Sequence, residues 1–372
     1  MYGFQSFYAY FFIFLVVYLL ILKANVKDRK KYSVWCFILF FLMAGLRGET
    51  VGGDLERYLP EFYLVSKSSF NHVLVVGHHE PGYLIYIKLL SLISPDSRMY
   101  LLGTSFISMI GPFVLFTKCS KNITISVLLY YAMGYYTNTF NSVRQSIAMS
   151  IVFCVIPYLI ERKFWKYLLG VIIAMTFHYS ALIMLIVYPL SNKALNLKRW
   201  AIYSVSSFAI VSLFFFSAFQ YVAEVFVTKY DPESIYDDSG RGGYGLFILY
   251  LLLFVIMSMY YWKSNKLLNN SSKYFLSIML LFQLFAAVTQ LTAPIFHSMV
   301  RMTYYFFIPV CTLAIPFICS TFKNRNLKPI FYVGVFTLAI IYMCTIVYKK
   351  TDGYNTNSQG TIPYVFINTK IF

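Results

Sequence analysis

Charge is what this chain has least of. Asp, Glu, Lys and Arg make up 12% of its 372 residues, and only 14 residues are acidic. A soluble domain carries about twice that charged fraction, so an ordinary water-facing surface is excluded. Neither a low-complexity tract nor a soluble domain is read in the sequence. The six cysteines (Cys36, Cys119, Cys154, Cys311, Cys319 and Cys344) are scattered, most of them in or beside apolar runs. They lack the paired spacing of a zinc site or a disulfide framework and read as small apolar filler. His72, His78, His79 and His297 also lack ligand-type spacing, so no metal is expected. No Gly-rich nucleotide-binding domain and no transporter-type internal repeat is present, and no cofactor is called for. The first apolar run, Phe4 to Leu22, has no basic residue ahead of it, against the pattern of a cleavable signal.

What is present is apolar length. The chain is 59% hydrophobic and 20% aromatic with a mean hydropathy of +0.66, which fits an all-α polytopic integral membrane protein. A net charge of +17 suggests nucleic acid in a soluble protein, but here the basic residues punctuate hydrophobic runs, the signature of topology control. Nucleic acid is therefore not an expected partner; the bilayer is.

Crossings are expected near 4–22, 32–46, 98–116, 123–137, 142–160, 200–220, 245–262, 274–291, 301–319 and 330–348. Pro81 to Ser94 is only half a span long, and Phe164 to Leu190 is interrupted by His178 and Ser180. Treating the first as a short re-entrant or interfacial helix and the second as a broken-helix hairpin gives about 10 to 12 membrane helices. The loops at 23–31, 117–122, 161–166, 191–199, 263–273 and 320–329 then face the cytoplasm with 19 of the 31 lysines and arginines. The positive-inside rule is obeyed on that reading, and the amino terminus lies outside. Broken helices at membrane depth need protein or a watery cavity around them, so both segments should line a cavity that opens outward. Residues 1–348 read as a single transmembrane domain with outer loops at about 47–81 and 221–244, and 349–372 as a short outer tail. The 221–244 loop is acidic and ends in Gly240, Arg241, Gly242 and Gly243, a flexible lid or a plain solvated loop.

Lysine dominates the cytoplasmic loops, whereas Arg47, Arg57, Arg144, Arg241 and Arg301 stand on the outer side nearest the membrane. Either residue sets topology, but guanidinium grips phosphate through a planar bidentate fork, so this cluster suggests a phosphate clamp. Asn141, Arg144, Gln145 and Ala148 share one helix face. Arg144 is a functional group there or a residue snorkelling to the interface. Gly52, Gly53 and Asp54 allow a tight turn that brings amides and a carboxylate near a ligand, with Tyr58 four residues on. Glu80 opens a helix at Pro81, either as a helix-start carboxylate or as a group that accepts a proton or orients a sugar hydroxyl. His178 is a general base, a phosphate donor or a buried imidazole holding the hairpin.

Together, Arg47 with Gly52, Gly53, Asp54 and Tyr58, the run Glu80-Pro81-Gly82-Tyr83, Asn141 with Arg144, Gln145 and Ala148, Phe177-His178 with Ser180-Ala181, and Arg301 with Tyr304 and Tyr305 resemble a known pattern. It is that of the EpsG-like branch of the Wzy-type O-antigen, capsular and exopolysaccharide polymerases. The resemblance runs from about residue 40 to Ile362-Pro363-Tyr364 and lies more in order and spacing than in any one motif. It implies a bacterial inner-membrane glycosyltransferase with a periplasm-facing cavity. Undecaprenyl-pyrophosphate-linked repeat units would be both donor and acceptor, and a flippase and a chain-length regulator would be its partners. On that footing Arg47, Arg144, Arg301 and Arg241 hold pyrophosphate, and Glu80, Asp54 or His178 activates the acceptor. Asn141, Gln145, Tyr58 and Tyr304 support them. One departure is that the polymerases are often described by a large arginine-bearing loop, and here the late outer loop holds only Arg241. The residues leave open a lipid-linked oligosaccharide flippase or other transporter, and an O-antigen ligase or membrane sugar acyltransferase.

Overall fold

The computed structural model describes residues 29–192, 194–214, 244–264, 267–293 and 298–321, with isolated positions between 333 and 341. The expected crossing at 4–22, most of that at 330–348, nearly all of the 221–244 loop with Arg241, and the 349–372 tail lie outside the described residues. Among the described residues every element is helical. Five helices are long and apolar enough to cross a membrane: Ser97–Cys119, Val143–Ile160, Gly245–Ser264, Asn270–Thr292 and Met299–Thr321. The chain divides into two compact units, Met1–Leu182 with Cys311–Phe372, and Ile183–Val310.

The first unit holds α1 (Arg29–Gly45), α2 (Leu55–Lys67), α3 (Pro81–Ile93), α4 (Ser97–Cys119), α5 (Ile123–Ala132), α6 (Val143–Ile160) and α7 (Phe164–Phe177). α6 is its centre, packed between α4 and α7, with α1 on the far side of α4. At the seam of α4 and α6, Gly111 lies so close to the Ser150 backbone that a Cβ has no room. The Ser150 hydroxyl accepts from the Gly111 amide at 2.8 Å and donates to the Ile107 carbonyl. It thus stands between the two ends of one step of the α4 hydrogen-bond ladder, one residue before Pro112, whose own nitrogen has no proton to give.

α2 and α3 are the short elements that position the site. α2 buries Leu55, Tyr58, Leu59, Phe62 and Val65 along one stripe. These pack with Leu84, Ile87 and Leu90 of α3, Tyr100 and Leu101 of α4, and Val143 and Ile147 of α6. Lys88 of α3 is 5% exposed and donates to the carbonyls of Val65, Ser66 and Ser68 at 3.2, 3.1 and 2.6 Å, closing the end of α2. α3 has 13 residues, about 20 Å of helix against a hydrocarbon core of roughly 30 Å. α7 stops at Phe177; His178 is extended and a 3-10 stretch, Tyr179–Ile186, follows. The helix therefore breaks where the sequence placed the interruption.

The crossing expected over 123–137 is instead two pieces. α5 ends at Ala132, Gly134 takes a φ of +73°, and a single turn follows at Tyr135–Asn138. Its apolar run is continuous, and only the glycine marks the break.

The second unit holds α8 (Leu197–Phe214), α9 (Tyr244–Ser264), α10 (Asn270–Thr292) and α11 (Ser298–Pro309). α10 carries the others, with Gln283 donating to the Tyr250 carbonyl at 2.7 Å and Thr289 paired with Thr303 at 2.9 Å. After Pro309 a π-helical turn, Val310–Ala314, leads to α12 (Ile315–Thr321). The Thr312 carbonyl on that stretch accepts from Ser126 at 2.5 Å, within the first unit.

Candidate functional site

The loop between α1 and α2 is built for close docking. Gly52 has a φ of +116°, and a Cβ there would collide with the Phe140 carbonyl. Its neighbour Gly53 donates its amide to Asn141 Oδ1 at 2.7 Å. The glycine pair thus clamps the loop to the chain just ahead of α6, and Asn141 supplies the latch. Arg47 belongs to the same clamp: it is 1% exposed and donates to Val51 O at 3.1 Å, Ala44 O at 2.5 Å and Ser105 Oγ at 3.0 Å. Its guanidinium also lies 4.8 Å from the Phe140 ring centre. Arg98 donates to the carbonyls of Gly45 and Arg47, at 2.9 and 2.7 Å. These two arginines order the loop from inside.

Arg144 sits in the first turn of α6 and faces the start of α3. Its Nη1 donates to Glu80 Oε2 at 2.5 Å, its Nε lies 3.4 Å from the Tyr58 hydroxyl, and its guanidinium is 5.7 Å from the Tyr58 ring centre. Glu80 occupies the N-cap position before Pro81, yet its side chain makes no cap bond. The carboxylate turns to Arg144 instead. Its other oxygen lies 4.0 Å from His178 Nδ1, which is 3.0 Å from Ser180 Oγ. Arg144 and Glu80 side chains are 13% and 5% exposed. Residues from α2, the start of α3, the start of α6 and the end of α7 therefore meet at one polar point. A buried ion pair costs desolvation and is a poor way to gain stability, so a functional reason for keeping it is favoured.

Next to it stands a pair the sequence reading passed over. Glu61 is 8% exposed; its Oε1 accepts the His78 amide at 2.9 Å and its Oε2 lies 3.6 Å from His79 Nε2. The His79 ring packs 5.7 Å from Tyr58 and 5.9 Å from Tyr83. Burial pushes the Glu61 carboxyl above its ordinary value, while the His78 amide and the Arg144 charge pull the other way. A signal was available: Glu61 follows Tyr58 by three residues and precedes Phe62 and Val65, so it falls on the apolar stripe of α2.

Of the remaining candidates, Asp54 caps the start of α2 through its carbonyl, which accepts the Arg57 and Tyr58 amides at 3.0 and 3.2 Å. Gln145 is 1% exposed, in the first turn of α6 beside Arg144. Arg301 and Tyr304 are half-buried one turn apart on α11, in the second unit. Arg241 lies outside the described residues. Among the described residues no group of three His, Cys, Asp or Glu side chains is arranged to hold a metal.

Apolar helices of bilayer length, short apolar helices and a buried polar cluster at their ends define a polytopic helical membrane protein. Within that class the chain belongs to the EpsG family, whose model matches residues 31–366, as the ordered motifs led us to expect. It is 24% identical over 161 residues to the amylovoran biosynthesis protein AmsC of Erwinia amylovora. That alignment covers 42% of this chain and 42% of the relative, so it spans less than half the length of either. No solved structure matches.

Proposed function

We propose that this chain is a polysaccharide polymerase that moves a growing glycan from undecaprenyl pyrophosphate onto the next lipid-linked repeat unit, at the periplasmic face of the inner membrane. The observation that carries this reading is the Arg144–Glu80 pair, buried where four chain segments meet in a member of this family. The name of the amylovoran relative supports it, and the distribution of lysine supports the outward face.

The donor already carries a good leaving group, so positioning and charge do most of what catalysis requires. Glu80 and Tyr58 hold Arg144 through Nη1 and Nε, and neither bond uses Nη2. That edge meets the departing phosphate; a charge-assisted bond of this kind contributes about 1.5–3 kcal/mol. Arg47 orders the loop beneath the site. Arg301 and Arg241 are candidates for further phosphate contacts, to be tested by their own substitution. α3 and the break at His178 serve as the re-entrant and broken elements that line the cavity.

The test is chemical. Inactivating Arg144 in cells should leave single repeat units on carrier lipid and on the downstream acceptor, with no ladder. Long chains stranded on the carrier would point to a ligase, and units held facing the cytoplasm to a flippase.

A further inference from the structure

The Glu61–His79 pair is not consumed by the contacts of Arg144. Glu61 Oε2 is buried without a hydrogen-bond partner and faces His79 Nε2 at 3.6 Å, while Oε1 is held by the His78 amide. His79 is the outer member: its side chain is 16% exposed against 7% for Glu61. Tyr58 is the wall between the two pairs, with its hydroxyl 3.4 Å from Arg144 Nε and its ring edge-on to His79. A carboxylate behind an imidazole fixes the ring's tautomer and stabilises the imidazolium that forms when it takes a proton. Glu80 is less suited to that task, because Oε2 is committed to Arg144.

Resting on the polymerase reading above, we propose that His79 is the general base for the acceptor hydroxyl and that Glu61 is its positioning residue, with Arg144 across Tyr58 meeting the departing pyrophosphate. The hydroxyl proton passes to the imidazole as the acceptor oxygen bonds to the donor's anomeric carbon. The bond from that carbon to the pyrophosphate oxygen breaks, its electron pair leaves on the phosphate, and undecaprenyl pyrophosphate is released. The imidazolium then returns its proton to solvent. Burial raises the Glu61 carboxyl, and a cationic ring facing it would draw it back toward the charged form. The titratable groups around the pair are Tyr58 from α2, His78 and Glu80 from the segment leading into α3, Tyr83 from α3, Tyr100 from α4 and Arg144 from α6.

The experiment uses the full chain in liposomes with lipid-pyrophosphate-linked repeat units, comparing wild type with H79Q, E61Q and E61D. H79Q is expected to lower kcat by about 10²- to 10⁴-fold with KM little changed. E61Q should shift the acid limb of the pH profile of kcat/KM, and E61D should restore it. Wild-type turnover in H79Q, or an acid limb unmoved in E61Q, overturns the assignment. Should H79Q fail to fold, the wild-type and E61Q profiles decide alone. A wild type that extends no chain refutes the polymerase reading itself, whereas extension with normal H79Q turnover refutes only the role of His79.

Discussion

Arg144 and Glu80, 64 residues apart in the chain, meet at 2.5 Å with both side chains largely withdrawn from solvent. One opens α6 and the other precedes α3, so the pair fixes how these two helix starts face each other. Their mutual dependence can be measured. R144K keeps the charge and loses the fork; it should abolish the polymer ladder at normal expression. Removing either partner alone leaves an uncompensated buried charge and should cost about 3–5 kcal/mol of stability. The double variant R144Q/E80Q should cost clearly less than the two single changes together, read as thermal unfolding in detergent. Additive losses would mean the pair is not coupled.

Glu61 predicts a pH dependence. Its carboxyl is held above the ordinary glutamate value by burial, so the folded state binds the proton more tightly than the unfolded chain. Its contribution is fully present below the unfolded value and is lost as pH rises through the folded one. Wild-type stability should therefore fall over that window, relative to E61Q, which cannot titrate. Parallel curves for the two proteins would contradict the burial of Glu61.

Gly52 should tolerate no side chain. G52A places a Cβ against the Phe140 carbonyl on a backbone with φ of +116°, and strain of this kind costs about 1–3 kcal/mol before any clash. The variant should show reduced folded yield and loss of the Gly53–Asn141 latch. Normal yield and activity would show that the loop can detach freely.

Lys88 is expected to be structural. K88M keeps the length of the side chain but takes its donor from three carbonyls at the end of α2, of which Val65 O keeps the Ser68 amide while those of Ser66 and Ser68 are part-buried, at about 1–3 kcal/mol for acceptors left without a donor. Thermal stability should drop, and α2 with Glu61 should become more accessible to proteolysis. Polymer length in the surviving folded fraction should stay close to normal.

Hydropathy located the long helices well: the crossings expected at 98–116, 142–160, 245–262 and 274–291 appear as Ser97–Cys119, Val143–Ile160, Tyr244–Ser264 and Asn270–Thr292. It missed the break at Gly134, because a backbone turn inside an apolar run leaves no polarity signal. Arg144, Glu80, Asn141 and His178 were legible as polar groups near apolar runs and Tyr58 through its place four residues after Asp54; the fold brings Arg144, Glu80, Tyr58 and His178 to one point and sets Asn141 against Gly53. Arg47 was legible as unusual, but its bonds to the Ala44 and Val51 carbonyls and to the Ser105 hydroxyl are ones that sequence spacing does not reveal. Glu61 was hidden by its setting. α2 carries enough charge to look solvated, and only its phase relative to Tyr58 and Phe62 distinguishes a buried glutamate from an exposed one.

The Ser150 hydroxyl plugged into the ladder of α4 acts as a peg. Two helices joined this way cannot slip lengthwise against each other without unplugging it, and the peg sits six residues, about 9 Å, along α6 from Arg144. The position of that guanidinium along the α4–α6 pair is therefore set by the scaffold and not by the loop docked against it.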